Sequence, residues 1–307
     1  MSELPQPSGV TVPDLVSVCV PTFQRPQGLL AAVESVLRQD YAEFEVIICD
    51  NASADATGEV AAELCRRDAR VRYLRHPNNL GPTRNFMSGL PLCRGSYFMW
   101  LADDDWLDPN YLSVCLGFLQ AHPEHVLAGG RIRYYRQGNY RNDGLRLTLE
   151  EPDPLARVLR YYQCVADNGT FYGVMRMAPA VRVPLHPVIG GDWFFLAAMA
   201  FQGKIHSVDT TSIHRDDTWD RTSFQRIARS EGVVDFDLRN PHLTIAWNAH
   251  EDILTQPVYT TLSPGCRTRL AVRAFWTLCR TKNVRMPRAG PRLLRLLVQH
   301  GTALLAK

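Results

Sequence analysis

Three consecutive carboxylates, Asp103, Asp104 and Asp105, follow directly on an apolar run in the segment YFMWLADDDWLDP, Tyr97 to Pro109. Adjacent carboxylates raise one another's pKa unless a cation or a nearby positive field keeps them ionised. Hard oxygen donors of this type suit Mg²⁺ or Mn²⁺, which keep several waters and take their remaining ligands from substrate phosphates. The plainer reading is a solvated turn in which Asp108 caps a helix opened by Pro109. Asp50 and Asn51 end a second apolar run. A carboxylate there could accept the ring N–H of a uracil, thymine or guanine, while Arg25 or Arg84 could meet a phosphate or stack on the base. Equally, Asp50 and Asn51 make a good turn and Arg84 could simply be solvated. Neither a Walker loop nor a G-x-G-x-x-G run occurs. Phosphates would have to be held by a cation, arginines and backbone amides, which counts against kinase and dehydrogenase chemistry.

The elements that must position these residues alternate regularly. LVSVCV and FEVIICD are short β-branched runs, while GLLAAVESVLRQD and ADATGEVAAELCRRD carry apolar residues at helical spacing. That alternation predicts βαβ units around a parallel sheet. A third strand, VRYLRH, leads through a helix start at Gly81 and Pro82 into a fourth, SYFMWLA. Four strand ends then converge, carrying Pro21 to Pro26, Asp50 to Thr57, His76 to Asn85 and the Asp cluster. In open α/β sheets, ligands bind in this crevice outside the carboxyl ends of the strands. Further on, DPNYLSVCLGFLQAHPE predicts a helix and VLAGGRIRYY a strand. Residues 136 to 165 break the alternation with an insertion containing the helix-like PLARVLRYYQC. GGDWFFLAAMAFQGKIHSV restores a helix and a strand, and two or three helices follow Asn240.

A chain of 307 residues that is 46% hydrophobic and 21% charged lies inside the globular range, so disorder is not the default. A net charge of +3 is too small for a nucleic-acid footprint. The eight cysteines form no C-x-x-C pair, and buried free thiols in a reducing cytoplasm fit them better than a zinc site or disulfide framework. Residues 1 to 14 read as a Pro-rich lead without the basic and apolar regions of a signal peptide. That discounts the N-glycosylation patterns at Asn51 and Asn168. No apolar run approaches the roughly 18 residues of a spanning helix, although the closing RLLRLLVQHGTALLAK could lie on a membrane surface as a basic amphipathic helix.

The ordered set SVCVPTFQRPQGLLAAVESVLRQDYAEFEVIICDNASADAT, NNLGPTRNFMSGL and GSYFMWLADDDWLDP resembles the nucleotide-binding half of a family 2 glycosyltransferase of the GT-A fold. The resemblance covers about residues 15 to 125 and implies a Rossmann-like, mostly parallel central sheet flanked by helices, with a helical C-terminal extension. It also implies a division into a flexible lead (1–14), a nucleotide-sugar-binding half (15–125), an acceptor-binding half (126–237) and the extension (238–307). For the nucleotide it points to Pro21, Thr22, Arg25, Asp50, Asn51 and Arg84. For ribose and metal it points to Asp103, Asp104 and Asp105. Many members carry a further Asp where this chain has Ala102, which leaves the division of labour within the cluster open. Asp105 is the favoured metal ligand, with Asp103 or Asp104 reaching the ribose or a metal-bound water.

The second half is similar more loosely. VIGGDWFFLAAMAFQGKI resembles the segment in which a carboxylate at a helix start is the catalytic base, implying that role for Asp192. Such a base takes the acceptor hydroxyl's proton as that oxygen attacks the anomeric carbon opposite the departing diphosphate. SIHRDDTWDRTS resembles the region that presents a His to the metal, implying His214 as a second metal ligand. Trp193, Trp219 and Tyr172 could stack on a sugar, with core packing as the alternative. The resulting expectation is a metal-dependent, inverting transferase that is cytoplasmic or peripheral to the membrane's inner face. It would take a UDP, dTDP or GDP sugar and a saccharide or natural-product acceptor. A sugar nucleotidyltransferase and an inactive nucleotide-sugar-binding protein are the alternatives. The first needs a Gly-rich loop after strand one, and PTFQRP contains no glycine.

Overall fold

A computed structural model describes residues 11–216, 229 and 235–284. The first half is built as its apolar runs predict. Strand β1 (Val12–Thr22) is followed by α1 (Pro26–Leu37), β2 (Phe44–Asp50), α2 (Thr57–Arg67), β3 (Val71–Arg75), α3 (Pro82–Ser88) and β4 (Gly95–Trp100). Strand β1 begins at Val12, inside the segment expected to be a flexible lead. Next come β5 (Asp105–Leu107), α4 (Tyr111–Ala121), β6 (His125–Arg136) and β7 (Asn139–Asp143). The chain continues through α5 (Pro154–Cys164), β8 (Val174–Arg176), α6 (Met177–Ala180), α7 (Gly191–Gln202) and β9 (Lys204–Asp216). Three helices follow in the described residues beyond β9: α8 (Asp235–Arg239), α9 (Pro241–Thr255) and α10 (Pro264–Thr281).

All nine strands join one sheet in the order β3-β2-β1-β4-β8-β6-β9-β5, with β7 hairpinned onto β6. Strands β1 to β4 are mutually parallel, and β6 and β9 are parallel to each other. Strand β8 runs antiparallel to both β4 and β6, so those two neighbours share one direction. The carboxyl ends of β1, β2, β3, β4, β6 and β9 therefore lie along one edge of the sheet. Strand β5, with its Asp105, runs back along β9 there. The near-continuous burial of β1, β2 and β4 is what a parallel sheet covered on both faces requires.

The core behind the Asp cluster is aromatic. Trp100, the last residue of β4 and fully buried, stacks on Phe171 at a centroid distance of 4.6 Å and meets Phe98 and Phe195 edge-on. Its ring N–H donates to the Phe86 carbonyl at 2.8 Å, so the indole's polar atom is satisfied inside the core. One side chain thus ties α3, β4, α7 and the segment before β8 together three residues from Asp103. Trp100→Ala leaves a cavity and an orphaned carbonyl and should lower unfolding stability by about 3–5 kcal/mol. Urea denaturation followed by circular dichroism checks this, and a loss under about 1 kcal/mol contradicts the packing argument.

Candidate active site

The three carboxylates are held by two guanidinium groups that come from opposite ends of the described sequence. Arg25, on the loop leaving β1, places Nη1 2.5 Å from Asp104 Oδ2 and 3.3 Å from Asp103 Oδ1. Thr22 Oγ1 donates to the other Asp103 oxygen at 2.8 Å. Arg215, near the end of β9, donates from Nε to Asp105 Oδ2 at 2.9 Å. Asp105 Oδ1 is buried and has no hydrogen-bond partner. Burial, with added repulsion from Asp104, pushes Asp103 up to about 6 against the pull of Arg25. Burial likewise pushes Asp105 up to about 7, against the attraction of Arg215. The approach is tight: a Cβ added at Gly28 in α1 would lie 2.2 Å from the Asp103 carbonyl oxygen, so the helix can pack here only without a side chain.

Arg215 extends the cluster into the second half of the chain. Its guanidinium lies 4.4 Å from the Tyr172 ring centroid, and Nη1 donates to Asn168 Oδ1 at 2.7 Å. Asp192 Oδ1 accepts from the Trp193 backbone N–H at 3.0 Å, and the nearby Asn168 amide favours its ionised form. Asp192 stands in the first turn of α7, and burial pushes its carboxyl above the ordinary value against those opposing interactions. Hydrogen bonds therefore join Asp105, Arg215 and Asn168, and Arg215 and Asn168 act electrostatically on Asp192 beyond them. Arg215 and Asn168 were not anticipated as site residues. Only the glycosylation pattern had marked Asn168, and only the parity of β5 against β9 turns Arg215 towards Asp105.

The remaining residues expected for the nucleotide gather at the same edge, several of them with structural partners. Pro21 is buried within β1. Asp50 is fully buried, accepting from Tyr73 Oη at 2.7 Å and from the Ser53 backbone N–H at 2.9 Å. Asn51 accepts from the Leu80 N–H at 2.7 Å and donates to Asn79 Oδ1 at 3.0 Å, so its side chain fastens the loop before α3. Asn85 Nδ2 donates to the Cys49 carbonyl at 2.9 Å, binding α3 to the end of β2. Gln24 and Ala52 hold φ of 54° and 65° in the two site loops, a costly conformation for non-glycine residues that a ligand-binding loop can retain. The Gln24 N–H donates to Ser53 Oγ at 2.9 Å, locking those loops together. Arg84 is exposed on α3.

Several expectations need correction. His214 does not join Asp105, because it pairs with Trp106, one position along, and neighbouring strand residues face opposite sides of the sheet. Its ring stacks on Trp106 and both nitrogens are engaged, Nε2 with Asp108 Oδ1 at 2.7 Å and Nδ1 with Tyr135 Oη at 3.1 Å. Asp108 is thus the partner of His214 and not a helix cap; α4 begins at Tyr111 behind Asn110. Trp193 lies 4.8 Å from Lys282 Nζ, and Tyr172 packs under Arg215. Trp219 and the amphipathic segment 292–307 lie outside the described residues. Among the described residues, no helix is long and apolar enough to cross a membrane.

The strand-end donors fit a divalent ion of limited protein ligation. Asp105 offers a buried, unpartnered oxygen and Asp104 shares its charge with a partly exposed arginine. Mg²⁺ and Mn²⁺ complete such sets with phosphate oxygens and water. A second group that could hold a metal, His125, Glu150 and His206, stands at the other end of β6 and β9.

The fold has counterparts among known proteins. S. aureus TarS 1–349 in complex with UDP-GlcNAc superimposes with a TM-score of 0.63 at 18% identity, over 86% of this chain and 72% of that one. The class is a GT-A-like α/β fold with its polar site at the carboxyl ends of the strands. The chain belongs to glycosyl transferase family 2, whose family model matches residues 17–180. The GalNAc(5)-diNAcBac-PP-undecaprenol beta-1,3-glucosyltransferase of Campylobacter jejuni is 29% identical over 162 residues, 52% of this chain and 51% of that protein. Escherichia coli chondroitin synthase is 35% identical over 103 residues, 33% of this chain and 15% of that protein. The chain thus spans about half or less of the length of these relatives.

The raised Asp105 carboxyl predicts a particular pH dependence. Between an unfolded value near 4 and a folded value near 7, the folded protein holds a proton that the unfolded chain has released, so rising pH favours unfolding across that window. Asp105→Asn leaves Arg215 unpaired and is less stable throughout, yet its deficit should shrink by roughly 1–3 kcal/mol as pH rises from 4 to 7. Urea midpoints of both proteins across this range test it. A deficit that stays constant or grows with pH contradicts the assignment.

Proposed function

We propose that the protein is an inverting glycosyltransferase that moves a sugar from a nucleoside-diphosphate sugar to an acceptor hydroxyl, with Asp192 as general base. One observation carries this reading: Arg215, bound to Asp105 and Asn168, acts together with Asn168 on the Asp192 carboxyl, which sets a second carboxylate within electrostatic reach of the donor-side cluster. The donor's diphosphate would lie along the strand-end edge, with the ribose against Asp103 or Asp104 and the base towards Asp50 and the loop before α3. A uracil, thymine or guanine base, each with a ring N–H, is proposed at that end. Contact with Asp50 would require that N–H to displace or share the bond from Tyr73 or Ser53 that now engages each carboxylate oxygen. The acceptor is a saccharide or saccharide-bearing molecule, in keeping with the names of both relatives. The eight free cysteines suit a reducing compartment, and we propose the cytoplasm.

In the reaction, the acceptor oxygen forms its bond to the anomeric carbon while the bond from that carbon to the diphosphate oxygen breaks. Asp192 takes the hydroxyl proton. A carboxylate raised by burial is a stronger base than an ordinary Asp and is better matched to proton transfer near neutral pH. The Trp193 N–H fixes the carboxylate's orientation, and Arg215 holds Asn168 against the cluster. Arg25, partly exposed beside Asp103 and Asp104, can turn towards the departing diphosphate. A divalent ion held by Asp105 and Asp104 would stabilise negative charge on that leaving group.

Asp192→Asn keeps the shape and an oxygen for the Trp193 N–H but removes the base. Its kcat for transfer should fall about 10²–10⁴-fold while nucleotide-sugar binding, measured by calorimetry, stays within a few-fold of wild type. Near-wild-type turnover would remove Asp192 from the mechanism.

A further inference from the structure

His125, Glu150 and His206 meet at the rear edge of the sheet, where β6 and β9 begin. Their ligand atoms all lie within 4.8 Å of one another. His125 Nε2 is 2.9 Å and His206 Nδ1 3.2 Å from the same carboxylate oxygen, Glu150 Oε1. Rigid backbone sets the geometry: His125 pairs with Lys204, and Leu149 and Ile205, each adjacent to a ligand, exchange backbone hydrogen bonds of 2.8 and 3.3 Å. Phe118 of α4 fixes both rings, stacking on His206 at 4.3 Å and meeting His125 edge-on at 4.9 Å.

We propose that these three side chains bind one Zn²⁺ or similar first-row transition metal ion, with water as the fourth ligand. Two imidazoles and one carboxylate form a zinc-type donor set, whereas Mg²⁺ and Mn²⁺ favour oxygen donors such as those of the Asp cluster. Binding needs no net proton release: each imidazole carries its hydrogen to the nitrogen away from the metal. For His125 that nitrogen is Nδ1, buried, without a hydrogen-bond partner, and 3.6 Å from Glu124 Oε1. Ligating histidines characteristically present their other N–H to such a carboxylate. Lys204 Nζ, 3.3 Å from Glu150 Oε2, occupies the carboxylate's second oxygen and leaves Oε1 to the metal. The ion would clamp the segment after β7 onto the starts of β6 and β9. At about 3.3 Å per residue, the run of β9 from His206 to Arg215 sets it roughly 25–30 Å from Asp105, too far to take part in transfer.

The test uses full-length protein stripped with chelator and kept in excess Mg²⁺. Stoichiometric Zn²⁺ should raise the thermal midpoint, and Co²⁺ should give the visible absorption of a four-coordinate nitrogen and oxygen site without a thiolate band. Both signals should vanish in His206→Gln and Glu150→Gln, substitutions at partly exposed side chains, and persist in Asp105→Asn. Glu124→Gln should weaken Zn²⁺ about 10-fold or more. No Zn²⁺ shift in the wild type, a thiolate-type Co²⁺ spectrum, or an undiminished shift in His206→Gln would overturn the proposal.

Discussion

Three adjacent carboxylates at a buried strand end can coexist only with compensating positive charge, and here two arginines supply it. Arg25 leaves the end of β1 to reach Asp103 and Asp104, while Arg215 leaves the end of β9 to reach Asp105. Their convergence depends on the sheet order, which sets β1 beside β4 and brings β5 back along β9. It depends equally on close packing, with Thr22 bound to Asp103 and Gly28 admitting α1 against the Asp103 carbonyl. Part of the positive charge that the cluster needs is built into the chain. Two guanidinium groups leave three carboxylates incompletely compensated, with Asp103 and Asp105 still raised to about 6 and about 7, and a divalent ion would supply the remainder.

That arrangement couples the two halves of the site. Because Arg215 binds both Asp105 and Asn168, and Arg215 and Asn168 both act on the Asp192 carboxyl, the donor-side carboxylates and the proposed base share one electrostatic environment. The rear of the sheet has a separate logic. The histidine cluster there holds strand beginnings together, whereas the front edge leaves Asp105 Oδ1 unpartnered beside the crevice.

Strands β1 to β4 and their helices were legible because buried parallel strands are written as continuous β-branched runs and the helices between them have a clear apolar face. The Asp cluster stood out for the same reason, as charge following an apolar run. Strand β5 is only three residues long and offered no periodicity to read, so the facing of Asp105 and His214 could not be deduced. Parity across β5 and β9 sends Arg215 to Asp105, 110 positions away, and His214 to Trp106. Asn168 sits in an insertion whose path depends on the whole fold. The rear cluster joins residues separated by 25 and 56 positions, which no local motif records.

The central claim is that the arginine-held carboxylates form the seat of a nucleoside diphosphate. It is tested most directly by calorimetric titration of UDP, dTDP and GDP, each with Mn²⁺, into the wild type and into Arg25→Ala. At least one diphosphate should bind stoichiometrically to the wild type, and about 10-fold or more weakly to the variant, in which a charge-assisted phosphate contact is lost. Absence of binding by all three, or equal affinity in the two proteins, would contradict the account.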